Sequence, residues 1–142
     1  MDCEQQLLAM SFCSHPSRLK LLRCVLRDAA DMVGLTEEGS DAVVLAVNEA
    51  CMNIIQHAYE MRPDGQIDLT ILQEPDALVF RVRDYADCVD VDKGCSRDLD
   101  DVRPGGLGVH LIGSLMEECG FLEPPAEGGN LCQMERFLLV QS

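Results

Sequence analysis

The chain has 142 residues, of which 47% are hydrophobic, a composition typical of a folded domain with a packed core. Its 11 Lys and Arg residues stand against 25 Asp and Glu residues, so the formal charge is 11 − 25 = −14. Such acidity opposes non-specific binding to nucleic acid and docking on anionic lipid, because both depend on basic side chains. We expect a single domain over residues 1–142 that contacts neither nucleic acid nor membrane directly.

The start of the chain and its eight cysteines both favour the cytoplasm. Residues 1–4 are acidic and lack the basic and apolar segments of a secretory signal. No apolar run approaches the ~18 residues of a membrane span. The cysteines form no CxxC and no paired Cys/His spacing, so we interpret them as reduced and mostly buried. The alternative is a zinc or redox site that uses Cys88 and Cys95.

The first elements predicted along the chain are an edge strand over residues 7–13 and an amphipathic helix. Ser14 is expected to cap the helix, with Pro16 in its first turn. The helix runs to about Val33 and ends at Gly34. Its apolar side chains recur at helical spacing on one face: Leu19, Leu22, Leu26 and Ala30.

A second helix is predicted from Thr36 to about Tyr59, with Ser40 or Asp41 as a later alternative cap. Most of this segment is apolar, which is typical of a largely buried helix. One apolar face consists of residues three or four positions apart: Val43, Val47, Cys51, Ile54 and Ala58.

This second helix nevertheless carries a narrow polar line. Glu49, Asn53 and His57 follow one another at intervals of four, so they lie one above the other on the helix surface. A polar line on an otherwise apolar helix is costly unless a polar partner meets it. The line is therefore either part of a site or an ordinary solvated face.

The second half of the chain predicts strands around a loop and a third helix. Apolar and polar residues alternate over 67–71 and over 78–82, which predicts an antiparallel hairpin. Residues 88–103 have no periodicity and favour a loop, whereas residues 107–118 predict a helix. Residues 121–122 and 131–140 predict two more strands, joined around residues 124–125 and 128–129. This order indicates an α+β fold of two layers, with three helices on one face of a sheet.

Two further features could take part in a site. Asp84 directly follows an apolar strand, where an Asp is either a turn former or an acceptor for a ligand amino group. Gly105 and Gly106 directly precede the apolar helix predicted over 107–118, and Gly108 stands in its first turn. The N-terminus of such a helix offers free N–H groups to an anion such as phosphate. The turn is neither a Walker A loop nor a Rossmann fingerprint, and by itself it is a common kind of turn.

Taken in order, these features resemble the motifs of the Bergerat-fold ATP-binding proteins and, more narrowly, of the bacterial anti-sigma factors of the serine-kinase type. Residues 49–59 match the family's N-box, Glu-Ala-x-x-Asn-x-x-x-His-Ala/Gly-Tyr. Residues 84–86 stand where the family has Asp-x-Gly, and residues 128–130 where Gly-Gly-Thr is usual. Residues 106–112 match Gly-Leu-Gly-Leu-x-Leu-Ile. The resemblance covers nearly the whole chain and implies a histidine-kinase-like ATPase domain with a mixed, mostly antiparallel sheet.

The resemblance implies ATP and Mg²⁺ as cofactors and assigns roles to residues of this chain. Asn53 would bind Mg²⁺, and Glu49 would be the general base or would orient the attacking hydroxyl. Asp84 would accept a hydrogen bond from the adenine amino group. Arg103, in the lid over residues 87–105, would stabilise charge at the γ-phosphate. The remaining nucleotide contacts would come from residues at the strand ends and in the glycine turn: Ala86, Gly105, Gly106, Leu107, Gly108 and Asn130.

Three departures from the family pattern bear on nucleotide binding. Ala86 replaces a glycine that lets backbone approach the adenine. Asn130 replaces the threonine that usually helps to fix the adenine-binding Asp. The segment 87–103 holds six Asp against one Lys and two Arg, an unfavourable field for a polyanion. His57 and His110 are expected to be structural or exposed.

The resemblance also implies a serine/threonine protein kinase that doubles as an anti-sigma factor. Such a protein is a homodimer that binds either a sigma factor or an anti-sigma-factor antagonist, and it phosphorylates the antagonist. The alternative is a nucleotide-binding regulatory module that transfers no phosphoryl group and acts only by binding proteins.

Overall fold

The computed structural model describes residues 5–86, 116, 118–123, 125–126 and 128–137. Within them the chain forms strand, helix, helix, hairpin and two further strands, in the predicted order. The predicted loop over 88–103 lies outside the described residues, as does nearly all of the third helix predicted over 107–118. The described part therefore has two α-helices, α1 and α2, against the three expected.

The first strand, β1 (Gln5–Cys13), lies at the edge of the sheet as predicted. A short 3₁₀ turn then leads into α1 (Leu19–Met32). The predicted cap is wrong by one residue, because His15 Nδ1 accepts the hydrogen bond from the Ser17 N–H at 3.0 Å. The side chain of Ser14 is instead buried in a contact with a distant turn. The predicted face of α1 is confirmed, since its four apolar residues are all buried.

The second helix, α2 (Glu37–Asn53), begins where the earlier of its predicted caps stands. Thr36 Oγ1 accepts a hydrogen bond from the Gly39 N–H at 3.0 Å. The later alternative is wrong, because Ser40 lies buried inside the helix and Asp41 pairs with Arg27.

After α2 the chain continues into a π turn, Ile54–Ala58, and this turn alters the predicted apolar face. The Tyr59 N–H bonds to the Ile54 carbonyl, five residues back, at 2.9 Å. Because a π turn holds more residues than an α turn, the buried stripe keeps its interval of four residues and reaches Ile55 and Tyr59. The predicted positions Ile54 and Ala58 are only partly buried.

The sheet contains β2 (Gln66–Glu74), β3 (Ala77–Asp84), β4 (Glu118–Phe121) and β5 (Asn130–Phe137), in the order β1-β2-β3-β5-β4. Every pair among these described strands is antiparallel, whereas a mixed sheet was expected. The β2–β3 hairpin is confirmed, and its tight turn reverses the chain. Since β4 already begins at residue 118, the predicted helical stretch does not extend that far.

The core lies between the two helices and one face of the sheet, so the two-layer α+β architecture is confirmed. The alternation of β2 turns Ile67, Leu69 and Ile71 toward the helices, and all three are fully buried. Phe80 of β3 is the largest fully buried side chain. A smaller buried cluster lies apart from this core, on the opposite face of the sheet. It consists of Leu72, Ala77 and Val79.

Candidate functional site

The end of β3 holds Asp84 in a fixed geometry. This carboxylate is only 3% exposed, and its Oδ1 accepts hydrogen bonds from Asn130 Nδ2 at 3.0 Å and from the Ala86 N–H at 3.1 Å. Asn130 stands directly opposite Asp84 in the β3–β5 register. A Cβ on the neighbouring Gly129 would lie 2.1 Å from the Asp84 carbonyl oxygen, so a residue with a side chain does not fit there. The structure therefore brings Asp84, Ala86 and Asn130 together.

The surroundings of Asp84 shift the pKa of its carboxyl. Burial raises the pKa of its carboxyl above the ordinary value, while the hydrogen bonds from Asn130 and Ala86 favour the ionised form and oppose that rise. A buried carboxylate of this kind gains when a ligand donates a further hydrogen bond to it.

The polar line on α2 and the π turn is partly buried. Asn53 Oδ1 and His57 Nε2 are hidden from solvent, and neither has a hydrogen-bond partner among the residues that the structure describes. Leaving such an atom unsatisfied costs about 1–3 kcal/mol. These two polar atoms therefore do not face solvent, and both residues are partly buried rather than exposed. Glu49, one turn before Asn53, is also partly buried.

The amide oxygen of Asn53 suits a magnesium ion. Mg²⁺ prefers oxygen ligands and is usually held by one or two protein groups together with phosphate oxygens and water. The Asn53 amide oxygen is buried, has no hydrogen-bond partner within the described ranges and lies one helical turn after Glu49, so it fits that role.

Tyr59 connects the end of the π turn to the strand end, a contact that the sequence did not predict. The Tyr59 hydroxyl accepts a hydrogen bond from the Tyr85 N–H at 2.7 Å and donates to the Gln66 carbonyl at 2.7 Å. Tyr59 follows the π turn directly, and Tyr85 follows Asp84. The signal in the sequence was the N-box match, which ends on Tyr59 but assigns no role to its hydroxyl.

The opposite face of the sheet carries a second polar group that the sequence also did not reveal. Asp68 accepts hydrogen bonds from Ser11 Oγ at 2.6 Å, from Gln66 Nε2 at 2.8 Å and from the Tyr85 hydroxyl. Burial alone raises the pKa of Asp68, but these hydrogen bonds together outweigh it and hold the pKa below the ordinary value. Arg83 lies over the Tyr85 ring, 4.4 Å from its centroid.

The described cysteines are all free, but fewer are buried than expected. Cys51 is fully buried, whereas Cys24 and Cys119 are exposed. Burial raises the pKa of Cys132 to about 12 and raises that of Cys51 as well, so both thiols stay protonated. The alternative site at Cys88 and Cys95 lies outside the described residues.

The other half of the expected nucleotide site also lies outside the described residues. It comprises the candidate charge stabiliser and the glycine turn: Arg103, Gly105, Gly106, Leu107 and Gly108. Their predicted roles stay predictions, and so does that of His110.

The fold and these motifs define the class of protein. A family model of the histidine kinase-like ATPase domain matches residues 12–136, and the chain belongs to that family. The expected fold is thereby confirmed. Among the described residues, no helix combines the length and the apolar character needed to cross a bilayer.

Within that family the chain is similar to proteins named serine-protein kinase RsbW. It is 30% identical to the RsbW of Bacillus pumilus (strain SAFR-032), over 93% of this chain and 86% of that protein. It is 29% identical to the RsbW of Bacillus subtilis (strain 168), over 78% of this chain and 74% of that protein. The predicted resemblance to the serine-kinase type of anti-sigma factor is confirmed.

A solved structure shares the fold. The crystal structure of the RsbU and RsbW domains of Rv1364c from Mycobacterium tuberculosis matches with a TM-score of 0.66 at 16% identity. The match covers 92% of this chain and 31% of that longer chain. At this identity the similarity concerns the fold alone.

Proposed function

We propose that this chain binds ATP with Mg²⁺ and transfers the γ-phosphoryl group to a serine or threonine hydroxyl of a partner protein. The observation that carries the proposal is the amide oxygen of Asn53, which is buried and has no hydrogen-bond partner in the described part of the chain. It lies one helical turn after the carboxylate of Glu49. Membership of the histidine kinase-like ATPase family and similarity to serine-protein kinases support the same activity.

Asn53 holds Mg²⁺ through Oδ1 in this proposal. The ion neutralises charge on the phosphates when it is bound. Phosphoryl transfer depends mainly on positioning and charge stabilisation, so a single protein ligand supplemented by phosphate oxygens and water is sufficient.

Asp84 recognises the adenine. Its Oδ1 already accepts two hydrogen bonds, from Asn130 and Ala86, and we assign the adenine amino group to Oδ2. Asn130 replaces the family threonine, but its amide fixes the carboxylate directly, so this departure does not argue against nucleotide binding. Ala86 contributes its backbone N–H rather than its side chain.

Glu49 acts on the attacking hydroxyl. As the bond forms between the hydroxyl oxygen and the γ-phosphorus, the bond from that phosphorus to the ADP oxygen breaks, and Glu49 takes the hydroxyl proton. Gly105, Gly106, Leu107 and Gly108 cover the phosphates, and Arg103 stabilises the charge that develops on them.

The partners follow from the same family. We propose that the chain forms a homodimer in the cytoplasm and binds either a sigma factor or an anti-sigma-factor antagonist, which is its phosphoryl acceptor. The alternative, a module that binds nucleotide without transfer, is separated from this proposal by the experiment below.

The experiment measures ATP binding by calorimetry with and without Mg²⁺, and then transfer from labelled ATP to a panel of candidate antagonist proteins. We expect Asn53→Ala to abolish the Mg²⁺-dependent part of binding. Glu49→Gln should bind ATP within about twofold of the wild type and lower transfer by about 10²–10⁴-fold, the usual contribution of a general base. Gln56→Ala is the control, because this neighbouring side chain is exposed.

Binding without transfer to any acceptor would favour the regulatory module. Transfer that is unchanged in Glu49→Gln would show that Glu49 is not the base. If the wild type binds no ATP, the proposal is wrong.

A further inference from the structure

We propose that Tyr59 is a positioning residue that sets the nucleotide-base selectivity of the site by holding the strand end on which Asp84 lies. The inference rests on the proposed function, because it assumes that Asp84 recognises the adenine. Tyr59 itself touches neither the base nor the phosphates in this proposal.

The hydroxyl of Tyr59 sits where the β2–β3 ladder stops. Ile67 and Asp84 are the last paired residues of that ladder, so Gln66 and Tyr85 are the next pair in register. The Gln66 carbonyl and the Tyr85 N–H bond to the Tyr59 hydroxyl, each at 2.7 Å. The phenol therefore takes the place of a ladder hydrogen bond and fixes the peptide that directly follows Asp84.

Contacts to the ring and to the backbone of Tyr59 hold this residue in place. Tyr59 is 6% exposed, and a Cβ on Gly65 would lie 2.5 Å from its ring, so the ring packs against the backbone there. The Tyr59 carbonyl accepts hydrogen bonds from the Arg62 N–H at 2.8 Å and from Arg62 Nε at 2.9 Å. Ser14 Oγ in turn bonds to the Arg62 carbonyl at 2.5 Å and to the Gly65 N–H at 2.9 Å.

The backbone that follows Tyr59 is constrained as well. Glu60 and Met61 adopt φ values of 51° and 66°, a left-handed conformation that non-glycine residues rarely take. Such strained residues persist only where surrounding contacts fix them. The turn between the π turn and β2 thus fixes the position of the phenol.

This arrangement links the two proposed binding elements through one side chain. Asn53 lies six positions before Tyr59 on the same helical segment, and Tyr85 follows Asp84 directly. Removal of the phenol oxygen leaves the Tyr85 N–H and the Gln66 carbonyl without this partner. The strand end that carries Asp84 is then held less firmly relative to the magnesium ligand.

The test uses Tyr59→Phe and compares ATP with inosine triphosphate, which has a carbonyl in place of the adenine amino group. We expect wild-type protein to bind ATP at least about tenfold more tightly than inosine triphosphate. Tyr59→Phe should weaken ATP binding about five- to tenfold and weaken inosine triphosphate binding less than about twofold. Tyr85→Phe is the matched control, because it removes a phenol oxygen that bonds to Asp68 on the opposite face of the sheet.

If the role of Tyr59 is purely structural, Tyr59→Phe should weaken the binding of both nucleotides equally and leave the ratio of their affinities unchanged. That result would overturn the inference while the proposed function stands. Wild-type protein that binds neither nucleotide would refute the proposed function itself. If Tyr59→Phe does not fold, hydrogen exchange at the Tyr85 amide of the wild type decides. We expect that amide to be protected and to become more protected with ATP, and an unprotected amide would contradict the proposal.

Discussion

Asp84 and Asp68 lie on neighbouring strands, and folding shifts the pKa values of the two carboxyls in opposite directions. Burial raises the pKa of Asp84, so folding favours its protonated form. The contribution of Asp84 to stability is therefore present below the ordinary pKa of ~3.9 and is lost as the pH rises through the folded value. The hydrogen bonds to Asp68 lower its pKa, so its contribution is present above the ordinary pKa and is lost as the pH falls.

These opposite shifts predict opposite effects of matched substitutions. Asp84→Asn should raise the free energy of unfolding at pH 7, because the amide avoids the cost of a buried charge. Asp68→Asn should lower the same quantity. The Asp84 difference should shrink below pH ~4, where this carboxyl is protonated in the folded and unfolded states alike. The Asp68 difference should shrink only at lower pH, as the pH falls through the lowered pKa of Asp68 in the folded state. Urea unfolding at pH 7 and at pH 3.5 checks the signs, and a destabilised Asp84→Asn at pH 7 would contradict this account.

Asp84→Asn should also weaken ATP binding. Loss of a hydrogen bond to a charged acceptor is worth about 1.5–3 kcal/mol. Asp84→Asn is therefore expected to weaken ATP binding about 10- to 100-fold while Asp68→Asn leaves it within about twofold. Calorimetry on both variants separates the stability effect from the binding effect.

Among the elements, α2 has the cap that the sequence predicts most directly. Thr36 and Gly39 are three residues apart, so the capping hydrogen bond depends on local sequence alone. The helix positions Glu49 and Asn53, and its first turn also carries Glu37 and Glu38, which interact favourably with the helix dipole.

The cap predicts a measurable loss of stability. Thr36→Ala should lower the free energy of unfolding by ~1 kcal/mol, because the Gly39 N–H loses its partner, whereas Thr36→Ser retains the hydroxyl and should cost only a few tenths. Thermal or urea unfolding of the three proteins provides the measurement. Equal losses in the two variants would show that packing of the threonine methyl group, and not the cap, is responsible.

The whole molecule is organised around β3. Of the five strands that the structure describes, β3 is the third in the sheet order, and six of its eight residues are buried. It carries Phe80 in the main core, Val79 in the smaller cluster and Asp84 at its end. The strand that supports the core therefore also positions Asp84 of the candidate site.

A core substitution on β3 should be far more damaging than one at the sheet edge. Phe80→Ala is expected to lower the free energy of unfolding by about 3–5 kcal/mol through lost burial and a cavity. Phe121→Ala removes the same kind of side chain from a position that is 49% exposed and should cost less than about 1 kcal/mol. Urea midpoints of both variants test this, and similar losses would contradict the two-layer packing.

That residues 1–142 form one domain stays a prediction.

Features that depend on residues close together in the chain could be predicted from the amino-acid sequence. The alternation over 67–71 and 78–82 predicted the hairpin, and the spacing of Glu49, Asn53 and His57 predicted the polar line. The Thr36 cap follows from a bond across three residues. The ordered motifs identified the family, because each one is a short run of residues.

Contacts between distant parts of the chain became known from the folded structure and not from any local pattern. The bonds of Asn130 to Asp84, of Tyr85 to Tyr59 and of Ser14 to Arg62 span 46, 26 and 48 residues. Strand register sets the bond between Asn130 and Asp84. Turn geometry and the π turn set the other two bonds. No local sequence pattern encodes any of the three. For this reason the sequence predicted Asp84 as a site residue but not the phenol that holds its strand end, and it took Ser14 for a cap.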